Sequence, residues 1–214
     1  MKAIIFDMDG TLINSVDDIA DAMNLVLKQN HFPVHSVNSY INWIGDGLKN
    51  LVTAALPQNY RQDVIIIKCF EEMKVAYSQV WMNKSRLYPG ISELLTSLCE
   101  RKIKIAVLSN KQHKFTQIIA DKLLGEWSFD VVIGYREGYP RKPDPTSALE
   151  IARHLNLDPT CIMYMGDSAS DIKTAINAGM YPVGVSWGYR STDSLVESGA
   201  KKIIYHPLEL LSLI

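Results

Sequence analysis

Two aspartates, Asp7 and Asp9, directly follow an apolar run near the start of the chain. The run, Ala3–Phe6, predicts a buried parallel strand, and Gly10 after the acids allows a tight turn. The acids therefore follow the carboxyl end of a strand, where open α/β sheets bind ligands. Two neighbouring carboxylates repel each other unless a cation or substrate compensates their charge, and magnesium, which prefers oxygen ligands, is the expected cation. The alternative is an ordinary acidic turn or helix cap.

A hydroxyl–amide pair and a lysine follow later in the chain. Ser109 and Asn110 come after the apolar run 103–108, where they can donate hydrogen bonds to an anion, helped by backbone N–H groups at the start of a following helix. Lys142 precedes Pro-Asp-Pro, and these prolines restrict the backbone so that the ammonium can neutralise a phosphate or a carboxylate. The alternatives are a helix cap for the pair and a solvated surface position for the lysine.

Two more aspartates follow the apolar run 162–165. In a parallel sheet Asp167 emerges at the same edge as Asp7, and Asp171 lies one helical turn later on the same face. Asp167 can ligate a metal ion directly, whereas Asp171 can ligate it or support its ligands. The alternative, a helix cap made by Asp167 or Ser168, does not need Asp171. Together the four segments suit phosphoryl transfer, which depends on charge compensation and positioning.

Apolar runs alternate with helical patterns from residue 88 onward. This alternation predicts an α/β fold with a doubly wound parallel sheet covered by helices on both faces. About 90 residues separate the first strand from the second, which is far more than one crossover helix requires. The pattern of apolar residues in this long connection predicts helices. We therefore predict an α/β core domain of residues 1–14 and 85–214 and a helical cap domain of residues 15–84. After the first strand, the predicted strands of the core are 103–108, 130–133, 162–165, 182–185 and 202–205. The predicted helices of the core are 91–101, 112–124, 146–155 and 169–178.

The predicted cap begins with a helix capped by Asn14 or Ser15, with acids in its first turn. A second long helix is expected from about Arg61 to Asn83. The buried candidates are Val16, Ile19, Ala20, Met23, Val26 and Leu27 in the first helix, and Ile67, Phe70, Tyr77 and Trp81 in the second. Because the insert follows the acidic turn directly, we expect it to act as a lid, with a helical embellishment as the alternative.

Composition excludes several classes of protein. With 214 residues, 47% of them apolar, and a net charge of -1, the chain is expected to be soluble and to bind neither nucleic acid nor an anionic membrane. Three widely spaced cysteines without a CxxC pair indicate reduced thiols and a cytoplasmic location. The two early aspartates argue against a signal peptide, and no apolar run approaches the ~20 residues of a membrane span. A monomer and a homodimer both remain open.

The order of these segments resembles the haloacid dehalogenase superfamily, specifically phosphatases with a helical C1-type cap in the phosphoglycolate-phosphatase-like subgroup. The four superfamily motifs appear as Asp7-Met8-Asp9-Gly10-Thr11, Ser109-Asn110, Lys142 within Lys-Pro-Asp-Pro, and Gly166-Asp167-Ser168-Ala169-Ser170-Asp171. The subgroup pattern is matched by Ile44-Gly45-Asp46-Gly47, Tyr88-Pro89-Gly90 and Val185-Ser186-Trp187-Gly188-Tyr189. Ser170 departs from the asparagine of many relatives, which changes local hydrogen bonding without removing a catalytic group.

The resemblance implies a mechanism through an aspartyl-phosphate. Asp7 would be the nucleophile, and Asp9 would protonate the leaving alkoxide and then activate water. Mg²⁺ would be held by Asp7, the backbone carbonyl of Asp9 and Asp167, with support from Asp171. The transferring phosphoryl group would be bound by Ser109, Asn110 and Lys142. The cap loop would read the leaving group through Gly45, Asp46 and Gly47, although Asp46 fits a helix cap equally well.

The acid at position 9 favours phosphate esters over haloacids, because the dehalogenases of the superfamily usually lack an acid there. The substrate is therefore expected to be a small phosphate monoester resembling phosphoglycolate. Three alternatives stay open on the same scaffold: a sugar phosphomutase, a pyrophosphatase and a non-catalytic phosphate-binding regulatory module.

Overall fold

The computed structural model of the protein describes residues 1–214. They form two compact units, a larger one of Met1–Ile13 and Leu87–Ile214 and a smaller one of Asn14–Arg86. We call these the core unit and the helical unit. The domain boundaries expected from the sequence were residues 14/15 and 84/85.

The parallel α/β sheet predicted from the sequence is confirmed in the core unit. The strands of the chain are β1 (Ala3–Phe6), β2 (Ile13–Asn14), β3 (Arg86–Leu87), β4 (Lys104–Gln112), β5 (Val131–Tyr135), β6 (Ile162–Gly166), β7 (Tyr181–Val185) and β8 (Lys202–Ile204). Six of them form one sheet in the order β5-β4-β1-β6-β7-β8, and every neighbouring pair is parallel. The short strands β2 and β3 pair with each other where the chain leaves the core unit and returns to it. Parallel pairing brings all six carboxyl ends of the large sheet to one edge.

Helices account for most of the remaining chain. The helical unit contains α1 (Val16–Gln29), α2 (Val37–Trp43), α3 (Leu48–Ala55) and α4 (Asp63–Val80). The core unit contains α5 (Ile91–Glu100), α6 (His113–Leu123), α7 (Thr146–Leu155), α8 (Ala169–Asn177) and α9 (Thr192–Glu197). Short 3₁₀ segments occur at Gln58–Tyr60, Pro159–Cys161 and Pro207–Ser212. None of the helices combines the length and the apolar composition that crossing a membrane requires.

The central strand β1 is buried on both faces, with all four residues at 0% exposure. Ala3 and Ile5 belong to a cluster that includes Ile151 and Leu155 of α7, whereas the intervening Ile4 points to the opposite face because side chains alternate along a strand. This double burial explains why the strand is an uninterrupted apolar run.

The apolar stripe predicted for the first helix of the helical unit, α1, is confirmed, because all six residues that were predicted to be buried there are buried. Ser15 occupies the N-cap position, but its side chain makes no capping hydrogen bond. Asp18, in the first turn, is fully buried and accepts hydrogen bonds from the backbone N–H groups of Lys84 (3.0 Å) and Ser85 (2.8 Å). The carboxylate of Asp18 therefore fastens the segment that leads back to the core unit.

In the second long helix of the helical unit, α4, one predicted buried residue is exposed. Ile67 was expected to be buried, yet it is 54% exposed, whereas its neighbour Ile66 is buried. Tyr77 is buried as predicted, and Phe70 and Trp81 are partly buried. Residues 64–67 are all aliphatic, so the spacing of apolar residues does not indicate which of them faces inward.

Candidate active site

Strand register brings three of the motif segments together. Phe6 of β1 pairs with Val107 of β4 on one side and with Met165 of β6 on the other. The residues that follow these three positions therefore lie side by side at one edge of the sheet, although β4 and β6 continue beyond Val107 and Met165. Asp7 remains attached to the sheet, because its backbone N–H donates to the carbonyl of Met165 at 2.9 Å.

The chain turns sharply after Asp7. The carbonyl of Met8 accepts hydrogen bonds from the N–H groups of Leu12 and Ile13, both at 3.0 Å, and the Gly10 N–H donates to the Ile13 carbonyl at 2.9 Å. Gly10 has a φ of +89°, and a Cβ there would lie 2.7 Å from Cγ of Asp167. Glycine is required at this position both for its backbone conformation and for the space that Asp167 occupies.

Three carboxylates meet beside this turn. One oxygen each of Asp7, Asp167 and Asp171 lies within 4.8 Å of the others, and all three residues are buried. The ammonium of Lys142 lies 2.8 Å from Oδ1 of Asp7 and 2.6 Å from Oδ1 of Asp171. Lys142 is only 8% exposed, so the alternative of a solvated surface lysine is wrong.

Asn110 holds the backbone of Lys142 on both sides. Its Oδ1 accepts the Lys142 N–H at 3.0 Å, and its Nδ2 donates to the Lys142 carbonyl at 3.4 Å. Arg141 adds a bond from its guanidinium to the Asn110 carbonyl at 2.8 Å. The amide of Asn110 thus positions the lysine that contacts Asp7, in addition to any contact it makes with a phosphoryl group.

Burial and mutual repulsion perturb the ionisation of this cluster. Burial, reinforced by the charge of Asp171, raises the pKa of Asp7 well above its ordinary value, against the opposing effect of Lys142. The same two causes raise the pKa of Asp167 to about 7. Burial works to lower the pKa of Lys142, but the Asp171 and Asp7 carboxylates outweigh it and raise that pKa well above its ordinary value. A cluster that resists ionisation in this way is suited to binding a further positive charge.

Asp171 serves the helix as well as the cluster. Ser168 is the N-cap of α8, and Oδ2 of Asp171 accepts hydrogen bonds from the Ser168 N–H at 3.0 Å and from its hydroxyl at 2.5 Å. The expectation that a cap made by Ser168 would not need Asp171 is therefore wrong, because the two residues form a capping box. With Oδ1 on Lys142 and Oδ2 on Ser168, Asp171 is better placed to support ligands than to supply one.

Asp9 makes an ion pair that the sequence analysis missed. Oδ2 of Asp9 lies 2.7 Å from the ammonium of Lys111, and the two side chains are 12% and 10% exposed. Lys111 directly follows the Ser-Asn pair, so its position at the same sheet edge was a usable signal.

Ser109 and Asn110 lie within β4 and not beyond its end. The strand continues to Gln112, with a break in its register against β5 between Leu108 and Gln112. The helix predicted over 112–124 is confirmed as α6, and because Gln112 is its N-cap, the alternative role of Ser109 and Asn110 as a helix cap is wrong. Ser109 Oγ instead accepts the N–H of Lys111 at 3.2 Å.

A late loop, Trp187–Tyr189, closes around Asp167. The backbone N–H of Tyr189 donates to Oδ2 of Asp167 at 2.7 Å, and the Trp187 indole donates to the Thr11 carbonyl at 3.0 Å. A Cβ on Gly188 would collide with Cβ of Asp167 and would lie 2.6 Å from the carbonyl oxygen of Gly10. The sequence indicated this loop only through its resemblance to the phosphoglycolate-phosphatase-like subgroup. The structure shows that the loop contacts the carboxylate of Asp167 directly.

The predicted cap loop lies in the helical unit between α2 and α3. Gly45 and Gly47 both have positive φ, at 119° and 90°. Gly47, and not Asp46, is the N-cap of α3, so the alternative of a capping role for Asp46 is wrong. The role of Gly45, Asp46 and Gly47 in selecting a substrate stays a prediction.

The sequence profile described as haloacid dehalogenase-like hydrolase matches residues 4–185. The chain belongs to this family. A phosphoglycolate phosphatase of Psychrobacter arcticus is 32% identical over 194 residues, covering 88% of this chain and 84% of its own. A phosphoglycolate phosphatase of Mannheimia succiniciproducens is 30% identical over 219 residues, covering 100% and 98%. A crystal structure from Haemophilus somnus, described as a predicted phosphoglycolate phosphatase, superposes with a TM-score of 0.92 at 30% identity, covering 100% of this chain and 97% of its own.

The charges in the site of this hydrolase fit a divalent cation. The clustered carboxylates of Asp7, Asp167 and Asp171 are contacted by one ammonium, that of Lys142, so negative charge exceeds positive charge among the groups in contact. Asp7 and Asp167 are the carboxylates whose pKa values are raised by burial, which marks them as the groups that a cation would relieve. Clustered carboxylate oxygens are the ligands preferred by hard divalent ions.

Replacing Gly188 with alanine is expected to weaken metal binding by about 10- to 100-fold, because the added methyl group must displace Asp167. Overpacking should also lower the free energy of unfolding by about 1–3 kcal/mol. Calorimetric titration with Mg²⁺ measures the first effect, and thermal unfolding measures the second.

Gly138→Ala is the matched control. Gly138 has a φ of +82° and nothing within 4 Å of its Cβ position, so alanine there costs stability through backbone strain alone. Equal metal affinity of the Gly188 variant and the wild type would show that the loop does not hold Asp167 in place.

Proposed function

We propose that this protein is a Mg²⁺-dependent phosphatase that hydrolyses a small phosphate monoester of the phosphoglycolate type. The observation that carries the proposal is the contact of the buried Asp7 carboxylate with Lys142 inside a cluster of aspartates. A carboxylate nucleophile beside a fixed cation can attack an anionic phosphate, because the cation offsets the repulsion between the two. The phosphoglycolate phosphatases of Psychrobacter arcticus and Mannheimia succiniciproducens support the choice of substrate.

The reaction proceeds in two displacements at phosphorus. In the first, an oxygen of Asp7 forms a bond to phosphorus as the bond to the ester oxygen breaks, and Asp9 donates a proton to the leaving alkoxide. In the second, Asp9 removes a proton from water, the water oxygen bonds to phosphorus, and the bond to Asp7 breaks. The products are an alcohol and inorganic phosphate, and both aspartates return to their starting states.

Positive charge and hydrogen-bond donors hold the transferring group. Lys142 is fixed through its backbone by Asn110 and reaches Asp7, so that it lies beside the attacking oxygen. Ser109 and Asn110 supply a hydroxyl and an amide from the adjacent strand β4. These three residues bind phosphoryl oxygens in this proposal and stabilise the charge that spreads over them.

Asp7, Asp167 and the backbone carbonyl of Asp9 would hold Mg²⁺, with Asp171 supporting the set. The bound ion supplies charge neutralisation between the nucleophile and the phosphate. The protein contributes the positions of these oxygens: Asp167 is held by the Tyr189 N–H, and Asp171 is held by Lys142 and Ser168.

Metal removal is expected to lower phosphate release by about three decades. An uncompensated pair of unit charges ~4 Å apart costs about 4 kcal/mol at an effective dielectric constant of ~20, which corresponds to about a thousandfold in rate. The measurement is inorganic phosphate release after EDTA treatment and after Mg²⁺ is restored, with phosphoglycolate and a panel of small phosphate esters ranked by kcat/KM.

Full turnover without metal would contradict the proposed metal dependence. Return of the phosphoryl group to a sugar hydroxyl, with no inorganic phosphate released, would identify a mutase. Absence of phosphate release from every ester in the panel would contradict the phosphatase itself.

We also propose a cytoplasmic location and no nucleic-acid partner. Cys69, Cys99 and Cys161 are all free thiols, which suits a reducing compartment. The net charge of -1 provides no general attraction to polyanions.

A further inference from the structure

The ion pair between Lys111 and Asp9 is not needed to bind the phosphoryl group in the reaction proposed above. The ammonium contacts Oδ2 of Asp9 at 2.7 Å, and both side chains are largely buried, at 10% and 12% exposure. A pair so removed from water is screened much less than a surface salt bridge, and its geometry is correspondingly better defined.

Hydrogen bonds at both its N–H and its carbonyl fix the backbone of Lys111. Its N–H donates to Ser109 Oγ at 3.2 Å, and its carbonyl accepts the hydroxyl of Thr116 in α6 at 3.2 Å. Gly134 of β5 packs so closely that a Cβ there would lie 2.6 Å from the Lys111 carbonyl oxygen. The irregular end of β4 is thereby held on both sides, and the lysine projects from a rigid point.

The other lysine of the site cannot perform the same task. Lys142 is engaged by Asp7 at 2.8 Å and Asp171 at 2.6 Å, and its ammonium also donates to the Leu108 carbonyl at 3.3 Å. The two lysines thus serve different aspartates: Lys142 contacts the nucleophile, and Lys111 contacts the residue that handles the proton.

We propose that Lys111 is a positioning residue that holds the Asp9 side chain in the orientation needed for proton transfer to and from the reacting oxygens. Asp9 lies within the tight turn between Met8 and Ile13, and its buried ion pair with Lys111 fixes the position of one carboxylate oxygen. This inference rests on the proposed phosphatase function. It assigns Lys111 an effect on the proton-transfer steps and none on phosphoryl binding or on attack by Asp7.

The test compares Lys111→Met with Lys111→Arg on two substrates. With ethyl phosphate, whose alkoxide needs a proton to leave, kcat of the methionine variant is expected to fall by about 10- to 100-fold, with KM unchanged within about threefold. With p-nitrophenyl phosphate, whose phenolate leaves without a proton, Asp7 should still be phosphorylated by the methionine variant, which gives an initial burst of about one nitrophenolate per enzyme. Lys111→Arg should recover most of the lost kcat, because it restores the cation.

Lys114→Met is the matched control, since Lys114 is an exposed lysine in the first turn of α6. It should behave like the wild type with both substrates. If Lys111→Met does not fold, Lys111→Gln replaces it: this variant removes the charge but keeps a hydrogen-bond donor, and kcat with ethyl phosphate is again expected to fall while KM is unchanged.

Three outcomes would overturn the proposal. A rise in KM with unchanged kcat would make Lys111 a substrate-binding residue. Equal losses of the burst and of ethyl phosphate turnover would indicate a structural role, as would failure of arginine to restore activity. The failure of the proposed function is distinct, because the wild type would then release no phosphate from either ester.

Discussion

Replacing Asp7 with asparagine is expected to abolish turnover, lowering kcat by at least about a thousandfold. An amide cannot form the bond to phosphorus that the carboxylate forms, and no other side chain in the cluster holds the same position at the end of β1. Phosphate release from p-nitrophenyl phosphate and from phosphoglycolate measures the effect, because both esters require the nucleophile.

The same substitution should leave the protein as stable as the wild type or more so. Burial and the charge of Asp171 raise the pKa of Asp7, so a neutral residue of the same shape removes repulsion from the cluster. Lys142 keeps Asp171 as a partner. Asp121→Asn, at an exposed position of α6, is the matched control and should retain wild-type activity. Activity of the Asp7 variant within tenfold of the wild type would remove the nucleophile from the proposed mechanism.

Replacing Asp9 with asparagine is expected to separate the two halves of the reaction. With an alkyl phosphate, kcat should fall by about 10²–10⁴-fold, because the leaving alkoxide loses its proton donor. With p-nitrophenyl phosphate, Asp7 should still be phosphorylated, but its hydrolysis should be slow because water loses its base. A burst of nitrophenolate followed by accumulation of phosphorylated enzyme, detected by intact-protein mass spectrometry, is the expected signature.

Mg²⁺ binding provides the control for the Asp9 variant. The proposed ligand at this position is the backbone carbonyl, so the calorimetric Mg²⁺ affinity should remain within about threefold of the wild type. Unchanged turnover of an alkyl phosphate would refute the acid–base assignment, whereas loss of the burst along with turnover would mean that Asp9 is needed for attack by Asp7.

The architecture of the core unit was predictable from local patterns. The buried strands β1 and β6 appear as short apolar runs, and the predicted helix 146–155 coincides with α7. These patterns predict the elements because a strand that is buried on both faces must be apolar throughout, and a helix that packs on one face must have apolar residues at helical spacing. The same logic failed in α4, where consecutive aliphatic residues left the inward face undetermined and Ile67 proved to be exposed.

The sequence by itself predicted the residue types of the site, and parallel topology suffices to bring Asp7 and Asp167, which directly follow β1 and β6, to one edge of the sheet. Only the tertiary structure decided how they are paired. Lys111 contacts Asp9 from 102 positions away, and the hydroxyl of Thr11 approaches Asp167 across 156 positions, at 3.4 Å. Such pairings depend on side-chain orientation at converging loops, for which local spacing carries no signal; the close approach of Gly188 to Asp167 is decided in the same way, by the path of a loop that folds back over a strand end.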